Sequence, residues 1–146
     1  MDRSTTPPDE FIATLPDGVR EDIATLDAEI ATVMSAHERV LWEGVFWGGT
    51  QQRIIGYGSY RYKGRSGAEG EWFIVGLAAQ KNYLSLYVNA AADGTPLPKL
   101  YAPRLGKVKA GSGNVQFKRL ADVDLTVMVE MVARARDLAG SARDGA

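Results

Sequence analysis

Lys107, Lys109, Gly111 and Gly113 alternate along the segment LGKVKAGSGNVQFKRL, Leu105 to Leu120. Two ammonium groups beside glycine-rich backbone suit an anion, because consecutive N–H groups in such a turn can form a concave nest. The segment lacks the G-x-x-x-x-G-K-[ST] pattern of a P-loop, and Leu105-Gly106-Lys107 ends a helical pattern instead of opening one. A helix stop followed by a β-turn accounts for the same residues. Asp17 and Glu21 form a second candidate. They stand four apart, at helical spacing, and carboxylates suit hard cations. Asp22 and Glu29 are about 10 Å apart along a helix axis, too far for one ion, and Asp27 lies on another side. The pair therefore offers a weak metal site on the surface, with no cage around it. It would equally complement the positive end of a helix. Trp72 and Tyr87 form the third candidate, with Tyr57 joining them. Gly76, Ala78 and Ser85 lie between the rings, and small residues flanked by large ones make a concavity. The segment around Trp42 and Trp47, or a second subunit, would cover the same surface.

Other chemistry is narrowly bounded. The chain has no cysteine, so disulfides, thiolate metal sites, iron–sulfur ligation and cysteine nucleophiles are excluded. It has one histidine, His37, which follows a helix and stands next to Glu38. Ser59, Ser66, Ser85 and Ser112 have no recognisable nucleophile context, and enzyme chemistry has little support. The net charge of −1 gives no general affinity for nucleic acid, and none is expected as a partner. No apolar run approaches the roughly 20 residues of a membrane span, and Met1–Glu10 lacks the apolar centre of a signal peptide. A cytoplasmic protein without a membrane partner is expected.

The elements that must position these residues follow from periodicity. At 146 residues the chain has the length of one domain. Residues 1–9 read as a disordered polar lead, 10–139 as a single domain and 140–146 as a flexible tail. Val19, Ile23, Leu26, Ile30 and Val33 mark one face of a helix from about Asp17 to Ser35. Residues 38–50 fit either a short helix or a strand entering a glycine turn. Arg53–Lys63 reads as one strand, followed by a loop to Gly70. Glu71–Ala79 and Tyr83–Asn89 read as two more strands around a turn at Lys81-Asn82. That turn pairs Leu77 with Leu86 and Val75 with Val88. Phe73, Val75, Leu77, Leu84, Leu86 and Val88 then share one face. Trp72, Ile74, Gly76, Ala78, Ser85 and Tyr87 share the other, with Gly76 opposite Tyr87. Leu97–Leu105 reads as a helix stopped by Gly106, and Val115–Lys118 as a last strand. Asp122 or Asp124 caps a final helix to about Ala139. The order predicts an α+β fold: an antiparallel sheet covered on one face by the N- and C-terminal helices.

Charge is divided along the chain. Residues 1–30 carry eight acids against two bases, and residues 99–119 carry six bases and no acid. The two segments either neutralise each other as neighbours or form two contact surfaces of opposite sign.

From Ile55 onward the order of motifs becomes specific: GYGSYRYKG at Gly56–Gly64, EWFIVGLAAQKNYLSLY at Glu71–Tyr87, LGKVKAGSGNVQFKRL, and the Asp-initiated helix. Together with Leu15-Pro16 this resembles the YdhG-like family, a bacterial domain of unknown function, over roughly Glu10 to Ala139. The resemblance implies a compact α/β sandwich without a resident cofactor. One branch of the family is described as a frataxin-like iron chaperone, which would make weakly bound iron the cargo.

Two functional expectations follow. One is a non-enzymatic binding protein, an iron chaperone using Asp17 and Glu21. The other is a binding module for a small anionic metabolite, using Lys107, Lys109 and the aromatic face of Tyr57, Trp72 and Tyr87. The final helix also carries an apolar arc of about half its circumference, wider than one sheet contact needs. Exposed apolar area beside Met131 and Leu138 is therefore expected, and with it a two-fold homodimer.

Overall fold

The computed structural model describes residues 2–45, 51–63 and 69–144. Its elements are β1 (Asp2–Arg3), α1 (Pro8–Ala13), α2 (Val19–Val33), β2 (Arg39–Val45), β3 (Gln51–Tyr57), β4 (Tyr60–Lys63), β5 (Glu69–Trp72), β6 (Val75–Ala79), β7 (Leu84–Val88), β8 (Ala91–Ala92), β9 (Thr95–Pro96), α3 (Leu97–Leu105), β10 (Lys109–Ala110), β11 (Asn114–Phe117) and α4 (Leu125–Asp144). A seven-stranded antiparallel sheet in the order β1-β2-β3-β6-β7-β11-β10 organises the molecule, with β4-β5 and β8-β9 as separate ribbons. The fold is α+β, as the order of elements predicts.

Alternation along the strands sorts the side chains onto two faces. Leu41, Ile55, Val75, Leu77, Leu84, Leu86, Val115 and Phe117 face the helices. Ile23, Leu26 and Ile30 of α2, Leu97, Tyr101 and Leu105 of α3, and Met128, Met131 and Val132 of α4 complete that core. On the face away from the helices, Trp42, Ile54, Phe73 and Ala78 form a second, smaller cluster with Trp72 and Tyr87 packed against it.

The turn at Lys81-Asn82 delivers the expected register: Val75 pairs with Val88, Gly76 with Tyr87 and Leu77 with Leu86. Elsewhere the strands are more broken than their sequence suggests. Arg53–Lys63 divides into β3 and β4 at Gly58, whose φ of +72° turns the chain out of the main sheet. Glu71–Ala79 divides into β5 and β6, because Trp72 pairs with Tyr60 of β4 while Val75 pairs with Tyr57 of β3. The break at Phe73-Ile74 inverts the expected alternation. Phe73 turns to the outer cluster and Ile74 enters the helix-side core. Asn89 holds this break. Its amide Nδ2 donates to the Phe73 carbonyl at 2.8 Å and its backbone N–H to the Ile74 carbonyl at 2.9 Å. Two carbonyls displaced from a regular ladder are thereby satisfied.

The ambiguous segment after Glu38 forms β2, and Phe46, Trp47 and Ser66 lie outside the described residues. Within the polar lead, Asp2 and Arg3 pair with Glu43 and Trp42, and α1 begins at Pro8. α3 spans Leu97–Leu105 and stops at Gly106 as expected. Asp124 caps α4, its Oδ1 accepting from the Val127 N–H at 3.2 Å. That helix runs on to Asp144 through the expected tail. Met131 has no exposed surface, and the wide apolar arc of α4 is spent inside the molecule. The area on which a homodimer would rest is therefore not at the surface beside Met131. Among the described residues no helix is long and apolar enough to cross a membrane.

Candidate functional site: a basic groove beside an aromatic groove

The glycine segment after α3 folds as a tight hairpin. β10 pairs with β11, Lys109 opposite Gln116 and Ala110 opposite Val115, and the Gly111 N–H donates to the Asn114 carbonyl at 2.8 Å. Alternation places Lys109 and Gln116 on the helix-free side of the sheet, where Ser85 and Tyr87 of β7 also point. Lys107, Lys109 and Lys118 line a groove of about 770 Å³ together with Asn82, Tyr83, Gln116, Phe117 and Asp122. That volume is typical of small-molecule sites. The lysines are placed without being neutralised: none of the ion pairs among the described residues uses them.

The arginines of the same basic segment behave differently. Arg119 pairs with Asp22 of α2 at 2.8 Å, and Arg104 with Glu130 of α4 at 2.6 Å. The bond from Arg119 holds the Asp22 carboxyl below its ordinary value, against the opposing effect of burial. The basic and acidic segments thus meet through Arg119 and Asp22, while Lys107, Lys109 and Lys118 line the groove. The backbone nest expected at the glycine turn is largely spent within the fold. The N–H groups of Lys107, Val108 and Gly111 donate to the carbonyls of Asp122, Gly106 and Asn114. Charge for an anion comes from the lysine side chains.

A second groove, of about 510 Å³, adjoins along β11 and is lined by Trp72, Tyr87, Asn89, Ser112, Gly113 and Asn114. The Trp72 ring lies 4.5 Å from Phe73 and 5.8 Å from Trp42, centroid to centroid. Burial pushes the Tyr87 hydroxyl up from its ordinary value, with hydrogen bonds involving Ser85 and Gln80 opposing the shift. The structure therefore brings Trp72 and Tyr87 together on the face of the sheet that also carries Lys109.

Tyr57 does not join them. It pairs with Val75 on the helix side and is 1% exposed. Its hydroxyl donates to Asp27 Oδ1 at 2.5 Å, and burial, followed by the Asp27 charge, pushes it well above its ordinary value. The pairing of β3 with β6 decides this placement, and the sequence alone did not show it.

Asp17 and Glu21 flank the start of α2, and both pair with the Arg20 guanidinium. Asp17 takes a bond from Arg20, and Glu21 accepts from the Gly18 N–H. Both serve the helix terminus. Among the described residues no group of three or more histidine or acidic side chains is placed to hold an ion. Tyr83, Gln116, Lys118, Asn89 and Asn114 are groove residues the sequence reading missed. Alternation from Lys109 would have found Gln116 and Lys118 once β10 was paired with β11. No protein-family model, curated protein or solved structure matches the chain.

Proposed function

We propose that the chain is a non-enzymatic binding module for a small anionic metabolite, seated in the groove of Lys107, Lys109 and Lys118. The carrying observation is the placement of these three lysines on one groove of ligand size, while Arg104 and Arg119 of the same segment are paired with helix carboxylates. The resemblance of Leu105–Leu120 to the YdhG-like pattern assigns no function to the turn itself. Its iron-chaperone branch draws no support from Asp17 and Glu21, which serve the start of α2.

The test is a thermal-shift panel of phosphorylated and carboxylated metabolites. A ligand at about a hundred times its Kd adds about 2.7 kcal/mol, a rise of roughly 5–10 °C for a chain of this size. Lys107→Ala with Lys109→Ala abolishes the rise. No rise with any anion, or a rise unchanged in the double variant, contradicts the reading.

A further inference from the structure

The two grooves are not independent. Asn114 lines the aromatic groove and Gln116 the basic one, two residues apart on one strand and on the same face, about 7 Å along β11. Lys109 stands directly opposite Gln116, and Asn114 opposite Tyr87. A rigid strip of sheet therefore carries an aromatic site and a cationic site at a separation fixed by the ladder. Anion binding alone leaves the aromatic half of that strip unused.

The aromatic half has a defined polarity. Asn89 must present its amide nitrogen to the Phe73 carbonyl, because a carbonyl accepts only from a donor. Its Oδ1 is left as an acceptor at the groove, next to Gly113. The groove thus combines two rings with the acceptor oxygen of Asn89, the complement of a flat heterocycle that carries an N–H donor. Charge limits the size of the ligand. Past Trp72 stand Glu38 and Glu71, two carboxylates gathered on the single guanidinium of Arg3 at 2.5 and 2.8 Å. A polyanion tracking the sheet would leave the lysines and meet these acids.

Resting on the anion-binding reading above, we infer that the ligand is a nucleoside monophosphate. Its base stacks in the groove of Trp72 and Tyr87 with an exocyclic amino group donating to Asn89, and its phosphate reaches Lys107, Lys109 and Lys118.

Calorimetric titration of the full chain with AMP, ribose 5-phosphate, adenosine and a short oligo(dA) tests this. AMP is expected to bind at least about tenfold more tightly than ribose 5-phosphate, from base stacking. Trp72→Leu should erase that advantage and leave ribose 5-phosphate unchanged, while Lys109→Ala weakens both. Tyr87→Leu is the second variant should Trp72→Leu fail to fold. Saturation-transfer NMR on the unaltered protein adds a readout free of substitution, with the adenine H2 and H8 signals strongest. Equal binding of AMP and ribose 5-phosphate, or saturation confined to the ribose, overturns the nucleotide assignment and leaves the anion site standing. Binding of neither phosphate overturns both. AMP affinity unchanged in Lys109→Ala, or oligo(dA) binding far tighter than AMP, overturns the assignment as well.

Discussion

Asp27 lies at the centre of the most connected polar group behind the sheet. It accepts from the Tyr57 hydroxyl at 2.5 Å and from Arg39 Nε and Nη2 at 2.9 and 2.7 Å, and Arg39 also reaches Asp9 at 2.7 Å. Hydrogen bonds to a buried charge are worth more than neutral ones, so Tyr57→Phe should cost about 1.5 kcal/mol in urea unfolding. Asp27→Ala, which leaves Tyr57 without its acceptor and Arg39 with Asp9 alone, should cost about 3 kcal/mol. Equal costs for the two variants would argue against Asp27 as the centre. Asp22 makes a pH-dependent contribution. Its folded value is depressed, first by the bond from Arg119, so its contribution is complete above the ordinary carboxylate range and fades as pH falls through the folded value. The stability gap between the wild-type protein and Arg119→Leu should therefore be constant from pH 7 to about 5 and close below about 4. A gap that persists at pH 2 would assign Arg119 a packing role instead. These partnerships were not legible in the sequence. Asp27 meets residues 12 and 30 positions away, and Asp22 meets one 97 away.

Among the elements, β3 and β6 provide a floor of glycine for the outer aromatic cluster. Gly56 and Gly76 are directly paired. A Cβ on Gly76 would stand 2.4 Å from Phe73 Cε1 and 2.8 Å from Ile54 Cγ2, and one on Gly56 would stand 2.5 Å from Trp42 Nε1. The rings lie directly on backbone. Gly76→Ala should cost about 2 kcal/mol through overpacking and should disturb the Trp72 groove. Urea unfolding measures the first effect and tryptophan near-ultraviolet dichroism the second. A Gly76→Ala variant as stable as wild type would contradict the close approach. The sequence made the β6–β7 register legible to the residue, because the turn at Lys81-Asn82 and the sorting of Leu77, Leu86, Val75 and Val88 agree on one pairing. It left the break at Phe73-Ile74 hidden. That break exists because β5 leaves the main sheet to pair with β4, and because Asn89 is placed to satisfy the two displaced carbonyls. Both conditions are tertiary. Trp72 and Tyr87 do share one face, but only Tyr87 is placed by the short hairpin; Trp72 reaches that face from β5, beyond the break, and Tyr57 follows the pairing of β3 with β6.

For the molecule as a whole, helices cover one face of the sheet, and the other combines an aromatic cluster with a lysine-lined groove. The helix side is closed tightly enough that Met131, wholly buried, tolerates no charge. Met131→Lys should abolish the cooperative unfolding transition by circular dichroism, because an unpaired ammonium group in the core has no compensation. A folded, cooperatively melting variant would instead return Met131 to the surface and restore the argument for a dimer through α4. Among the described residues the large exposed apolar side chains are the scattered Val45, Tyr62 and Leu100. On the open side, the proposed anion site is the lysine groove. Amide chemical-shift mapping during titration with inorganic phosphate tests it most directly. Binding in this groove gives saturable shifts confined to Gly106–Lys109, Gln116–Lys118 and neighbouring Asn82-Tyr83. Shifts centred on Asp17–Asp22, or no saturable shifts at all, would contradict it.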